Sequence, residues 1–344
     1  MPHTDLPLEE LRRYAPHLPA PEDLQEFWDA TFQEAGRWPL DASWTPVDSG
    51  LTTVETLDVS FAGAGGSPVR AWLHMPARAL RGDRPLPGVV QYQGYNGGRG
   101  LPHEHVFWAS AGFAQLVVDT RGQGSGWTVG DTGDPVGSAA AQPGFLTRGV
   151  LSPQEYYYRR VYTDAVRAVE ALRGHPDVDG DRVAVAGISQ GGGIALAVSA
   201  FAPGVRAVMP DVPFLCDFPR ATRVAPGDPY GEIVRYLKAH RDRVDRVFAT
   251  LSYFDAAVLG RLASAPALFS VALMDQICPP STVFAAYHAY GGPKDIRVYP
   301  YNDHEGGEVH QQREQLTWLR SQLEAPTASG PAGVEPPTEL SRGT

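Results

Sequence analysis

Between Val183 and Ser199 the chain reads V-A-V-A-G-I-S-Q-G-G-G-I-A-L-A-V-S: a short apolar run, a serine flanked by glycines, then small and apolar residues at helical spacing. Few backbones satisfy that order. An extended run must end, turn and enter a helix within a few residues, which places Ser189 on a sharp strand-to-helix turn, with Gly187 and Gly191 supplying the room. Such a turn presents a serine hydroxyl, a poor nucleophile on its own, where a base can reach it. Downstream the chain offers Asp275 and then His304, each in a segment that follows a strand-like run.

The rest of the chain alternates in a way that suits this turn. Apolar runs at 87–92, 114–119, 183–186, 205–209, 266–273 and 296–299 are separated by helical stretches, which predicts a mostly parallel sheet covered on both faces. With the serine turn, that is an α/β-hydrolase fold. Strand-like runs at 51–61 and 69–76, divided by A-G-A-G-G-S, predict an antiparallel edge. Helical runs at 9–14 and 22–35 predict an N-terminal extension, with Leu24, Phe27, Trp28 and Phe32 on one apolar face. Val161, Ala165, Ala168, Val169 and Leu172 place a helix just before the serine strand, and Val309, Leu316, Leu319 and Leu323 predict a last helix.

Two segments exceed a minimal repeat: 122–158, rich in Gly, Pro and Ser, and 213–262, which carries helical pieces between two sheet strands. We read 1–324 as one catalytic domain with an insertion at about 213–262, and the Pro-rich 325–344 as a disordered tail. The formal net charge of -10 and the lack of a basic block argue against nucleic-acid binding. No apolar run reaches the roughly 18 residues of a membrane span, and the acidic N-terminus lacks a signal-peptide pattern, so a cytoplasmic protein is expected. Cys216 and Cys278 are expected to be two buried thiols.

In this reading Ser189 is the nucleophile, His304 in Y-N-D-H-E-G-G the base, and Asp275 in L-M-D-Q-I-C-P-P-S-T the carboxylate that orients it, before a helix that Ser281 or Thr282 could cap. Asp211, ending the preceding strand, is the rival acid; Asp303 is expected to point elsewhere. The backbone N–H groups of Gln190 and of Tyr95, in Q-G-Y-N-G-G, are the expected oxyanion donors. Arg121 in D-T-R-G-Q-G reads as a brace for the serine turn rather than a phosphate ligand. Tyr156, Tyr157 and Tyr158 could stack a sugar or simply pack, and His103 and His105 lack the partners of a metal site.

Taken together, Y-Y-Y-R-R-V-Y-T-D-A-V-R-A-V-E, R-G-Q, G-I-S-Q-G-G, D-V-P-F-L-C, L-M-D-Q-I-C-P-P-S-T and the terminal H-E resemble the acetyl xylan esterase / cephalosporin C deacetylase family, carbohydrate esterase family 7, over about residues 6–323. The resemblance maps that family's nucleophile, acid and base onto Ser189, Asp275 and His304, and its oxyanion donors onto Tyr95 and Gln190. It implies a serine esterase that removes acetyl groups from small substrates, including acetylated xylo-oligosaccharides, sugars and cephalosporin C. It further implies a hexamer enclosing its active sites, no metal or organic cofactor and, in some members, perhydrolysis. Gln93 stands where many members carry histidine. Two other readings share the fold: a prolyl-oligopeptidase-type peptidase, and a non-catalytic binding scaffold.

Overall fold

Side chains alternate between the two faces of a strand, so a sheet covered on both sides must divide each strand between two cores. That division is visible here. Val90, Val183, Val185 and Val208 belong to one apolar cluster, while their neighbours Val89, Ala184, Ala186 and Met209 belong to another. The computed structural model describes residues 3, 5–137 and 139–324. The tail expected at 325–344 lies outside them.

Nine strands, β1 (Ser43–Val47), β2 (Val54–Ala62), β3 (Pro68–Pro76), β4 (Leu86–Tyr92), β5 (Ala114–Val118), β6 (Val178–Ile188), β7 (Val208–Asp211), β8 (Ala267–Ala272) and β9 (Lys294–Tyr299), form one sheet in the order β1-β2-β3-β5-β4-β6-β7-β8-β9. From β5 to β9 every pairing is parallel, while β1, β2, β3 and β5 pair antiparallel. This is the α/β-hydrolase arrangement. Strand β1 has no counterpart among the expected runs, because S-W-T-P-V is largely exposed and carries Pro46, which an edge strand tolerates.

The helices are α1 (Leu8–Leu11), α2 (Leu24–Ala35), α3 (Phe107–Ser110), α4 (Tyr157–Arg173), α5 (Gln190–Phe201), α6 (Phe218–Val224), α7 (Gly231–Ala239), α8 (Val244–Leu251), α9 (Ala256–Leu259), α10 (Pro280–Ala289) and α11 (Glu308–Glu324). The larger core lies on the side of α4 and α5; the smaller is closed by Trp108 of α3 and Leu319 of α11. The N-terminal extension is tied to the insertion: Trp28 is fully buried and its indole N–H donates to the Tyr253 carbonyl at 3.0 Å. Helices α6 to α9 lie within 213–262, and Phe214, Tyr230, Leu251 and Phe254 from this segment are buried in the larger core. The insertion is therefore held by packing.

Two sequence expectations need correcting. On α11 Leu319 is buried and Leu316 and Leu323 pack against the smaller core as expected, but Val309 is 68% exposed, and Gln311 and Gln315 share the buried face because the carboxylate of Asp211 sits opposite and accepts their amides. Neither Ser281 nor Thr282 caps α10, since both lie inside it; Asp5, from the far N-terminus, accepts the Ser281 backbone N–H at 2.7 Å instead.

Candidate active site

Ser189 sits at the junction of β6 and α5 with φ 57° and ψ -121°, a left-handed conformation that costs a non-glycine residue of order 1–3 kcal/mol. Three backbone bonds hold it there. Its N–H donates to the Asp211 carbonyl at 2.9 Å, and its own carbonyl accepts from Gly193 N–H at 3.1 Å and Phe214 N–H at 2.9 Å. A Cβ on Gly187 would fall 2.3 Å from the Gly191 carbonyl carbon, and one on Gly191 would fall 2.2 Å from the Tyr92 carbonyl oxygen. Both glycines are required by close backbone approach, as the sequence reading held.

Asp275 and His304 follow β8 and β9 and meet at the same carboxyl edge of the sheet, where ligands of parallel α/β sheets bind. His304 Nδ1 and Asp275 Oδ2 are 2.9 Å apart, and Asp275 Oδ1 accepts the backbone N–H groups of Ile277 and Cys278, both at 2.8 Å. Asp275 is 1% exposed, whereas the His304 side chain keeps 26% of its surface, so the acid is shielded and the imidazole reachable. The Ser189 hydroxyl lies 3.9 Å from the Cys278 thiol, and Asp275, Cys278 and His304 bring donor atoms within 4.8 Å of one another. Those donor types can bind a metal. Asp275, however, is committed to His304 and two N–H groups, and burial pushes the Cys278 thiol well up, so the trio is better suited to proton transfer.

Tyr95 follows β4, and Gln190 opens α5 directly after Ser189. Gln190 N–H is a first-turn donor with no intrahelical acceptor. The loop carrying Tyr95 is pinned on every side: Gly97 N–H to Gly94 carbonyl at 3.1 Å, Trp127 Nε1 to Tyr95 carbonyl at 3.0 Å, and Asn96 N–H to Gln123 Oε1 at 2.7 Å. Gln123 in turn exchanges side-chain hydrogen bonds with Gln190, which also receives the Tyr158 hydroxyl at 2.8 Å and donates to the Gln93 carbonyl at 3.2 Å. Both donor-bearing segments are thus braced against one buried amide cluster. Gln93 itself is 2% exposed, and its side-chain nitrogen finds no partner among the described residues.

A model of the acetyl xylan esterase family matches residues 1–322. The chain belongs to the acetyl xylan esterase family. It is 36% identical to the solved acetyl xylan esterase from Paenibacillus sp. R4, with a TM-score of 0.83 and coverage of 92% of this chain and 99% of that one. Against acetyl xylan esterase 1 from Thermoanaerobacterium sp. JW/SL YS485 the identity is 31%, the TM-score 0.83, and the coverage 93% and 100%. The curated acetyl esterase Axe7A of Xylanibacter ruminicola is 26% identical over 323 residues, 90% of this chain and 69% of that protein. This acetyl xylan esterase family member is a carboxylic ester hydrolase. An acylaminoacyl peptidase from Pyrococcus horikoshii, 17% identical with a TM-score of 0.55, shares the fold, and the match spans 42% of that chain.

Other candidate residues in this family member fall outside the Asp275–His304 pair. Asp211 turns away to accept Gln311 Nε2 at 3.0 Å and Gln315 Nε2 at 2.7 Å, and burial raises its pKa to about 7. Asp303 accepts the Gln276 N–H at 3.4 Å. Arg121 is a brace: its guanidinium pairs with Asp164 at 2.5 and 2.8 Å, and its carbonyl receives the Tyr157 hydroxyl. Tyr156, Tyr157 and Tyr158 are fully buried, so packing, not stacking on a sugar, is their role. Sequence reasoning missed two residues. Cys278 was expected to be buried but not beside the serine; its place three residues after Asp275 was the available signal. Glu232, on α7, touches Tyr95 from 137 residues away, and nothing local announces it.

Proposed function

We propose that this esterase deacetylates small acetylated carbohydrates, among them short xylo-oligosaccharides, through an acetyl-enzyme formed on Ser189. What carries the reading is the His304–Asp275 contact at 2.9 Å, with the second carboxylate oxygen saturated by two N–H groups, at the edge where the strained Ser189 is presented. A carboxylate so held accepts from Nδ1 and leaves Nε2 free as an acceptor, which is the tautomer a general base needs. Rotation of the Ser189 hydroxyl away from Cys278 toward the imidazole would let His304 take its proton as Oγ attacks the acetyl carbonyl. The backbone N–H groups of Tyr95 and Gln190 would receive the developing oxyanion, and His304 would return its proton to the leaving alcohol. Water then attacks the acetyl-enzyme by the same steps in reverse roles, releasing acetate.

Acetate release from p-nitrophenyl acetate, acetylated xylobiose and cephalosporin C, beside p-nitrophenyl butyrate and a prolyl peptide, tests the reading. Activity should be confined to acetyl esters, and Ser189→Ala should lower kcat by about 10⁴–10⁶. Acetate release retained by the variant would end the nucleophile assignment. Peptide cleavage would favour the peptidase reading.

A further inference from the structure

Glu232 is a carboxylate on α7, inside the insertion, and is 6% exposed. Its Oε1 accepts the Tyr95 hydroxyl at 2.6 Å and Gly144 N–H at 2.9 Å, while Oε2 accepts Leu146 N–H at 3.0 Å. The Tyr95 oxygen in turn accepts Phe145 N–H at 3.1 Å. The ring of Tyr95 stands edge-on to Phe145 and to Phe214, with centroids 5.4 and 6.0 Å away, and Phe214 N–H is one of the donors holding the Ser189 carbonyl. Burial pushes the Tyr95 phenol far up and Glu232 upward as well, so the phenol keeps its proton and the bond runs from hydroxyl to carboxylate.

A polar group buried this deeply must be satisfied, but a carboxylate is an expensive way to satisfy two loop amides. The geometry suggests what else it does. The Tyr95 carbonyl, the preceding carbonyl and the following N–H are each held by a separate partner, and the side chain is held by Glu232; the backbone N–H of Tyr95 alone has no partner among the described residues. The Gly94 carbonyl shares a planar peptide unit with the Tyr95 N–H, so these bonds hold the orientation of that N–H.

Resting on the proposed esterase reading, we infer that Glu232 is a positioning residue: through the Tyr95 hydroxyl it fixes the oxyanion donor, so that the helical insertion sets the geometry of the reaction centre. The two ends of the clamp lie in different segments, and the test exploits that. Tyr95→Phe removes only the hydroxyl and leaves the backbone N–H, the ring packing and the Glu232 bonds to Gly144 and Leu146. Glu232→Leu keeps most of the side-chain volume and removes both acceptor oxygens, including the one that receives the Tyr95 hydroxyl.

The experiment is a double-mutant cycle on the full chain with p-nitrophenyl acetate, read as kcat and KM separately, beside binding of a small trifluoromethyl ketone whose serine adduct places an oxyanion in the hole. Each single variant is expected to lower kcat about 10–100-fold, less than the 10²–10³ lost when a donor is deleted outright, with KM within about twofold. Ketone affinity should fall in parallel, and the double variant should be no slower than the slower single, because both break one connection. Thermal unfolding accompanies each variant; if Glu232→Leu fails to fold, Tyr95→Phe alone decides. Wild-type kcat in Tyr95→Phe, or losses that multiply in the double variant, would overturn the inference and leave the esterase reading standing. A wild type that releases no acetate would remove the esterase reading itself and this inference with it.

Discussion

Replacing Gly191 by alanine tests the idea that backbone approach at the serine turn sets catalytic geometry. The added Cβ would lie 2.2 Å from the Tyr92 carbonyl oxygen and 2.8 Å from its carbon. Heavy atoms at van der Waals contact need about 3.5 Å, so α5 and the end of β4 must separate by roughly 1 Å, and the obstructing atoms are backbone that cannot rotate away. The two proposed oxyanion donors belong to the two elements being separated: Gln190 starts α5, and Tyr95 follows β4. A displacement of about 1 Å at a reacting centre costs on the order of 10²-fold in rate. Two terms compete in stability. Alanine in a helix gains about 1 kcal/mol over glycine, whereas overpacking costs about 1–3 kcal/mol, so the net loss should be small, a few degrees in Tm at most. The expected result is therefore a large fall in kcat with little loss of fold, measured with p-nitrophenyl acetate and by thermal unfolding. Gly82→Ala, where a Cβ would meet nothing within 4 Å, is the control and should change neither. A Gly191→Ala enzyme with kcat within threefold of wild type would refute the reasoning.

Two further predictions follow from the carboxylates. In Asp275→Asn the oxygen of the new amide will face the Ile277 and Cys278 N–H groups, turning its NH2 toward His304 Nδ1 and enforcing the wrong imidazole tautomer. We expect kcat to fall by about 10⁴ with the fold intact; a loss below tenfold would exclude Asp275 as the orienting acid. Asp211 is held at about 7 by burial, above the roughly 3.9 of an unfolded chain. It therefore binds more protons folded than unfolded between those values, and its contribution to stability is complete below about pH 4 and lost as pH rises to about 7. Asp211→Asn, which Gln315 can accommodate by flipping its amide, should gain stability relative to wild type across that window in urea titrations. The similarly raised Asp255 is common to both proteins and cancels, so a difference independent of pH would count against the assignment.

What the linear sequence determined is local or periodic. Alternation sorted β4, β6 and β7 between two cores, the glycines around Ser189 signalled a strained turn, and the runs before Asp275 and His304 placed both at strand ends. These features are legible because each is enforced by residues within one or two turns of itself. Tertiary structure decided the rest. Asp211 and Asp275 end neighbouring strands and look alike in sequence, yet α11 presents two glutamines to the first and β9 delivers a histidine to the second. Leu316, Leu319 and Leu323 marked the packed face of α11, but the burial of Gln311 and Gln315 could not be read, because their partner is a carboxylate across the interface. Glu232 reads as one more acidic residue on an amphipathic helix until folding closes the 137 residues between it and Tyr95. A side chain's role follows from what satisfies its charge once water is excluded, and for these residues that partner lies far away along the chain.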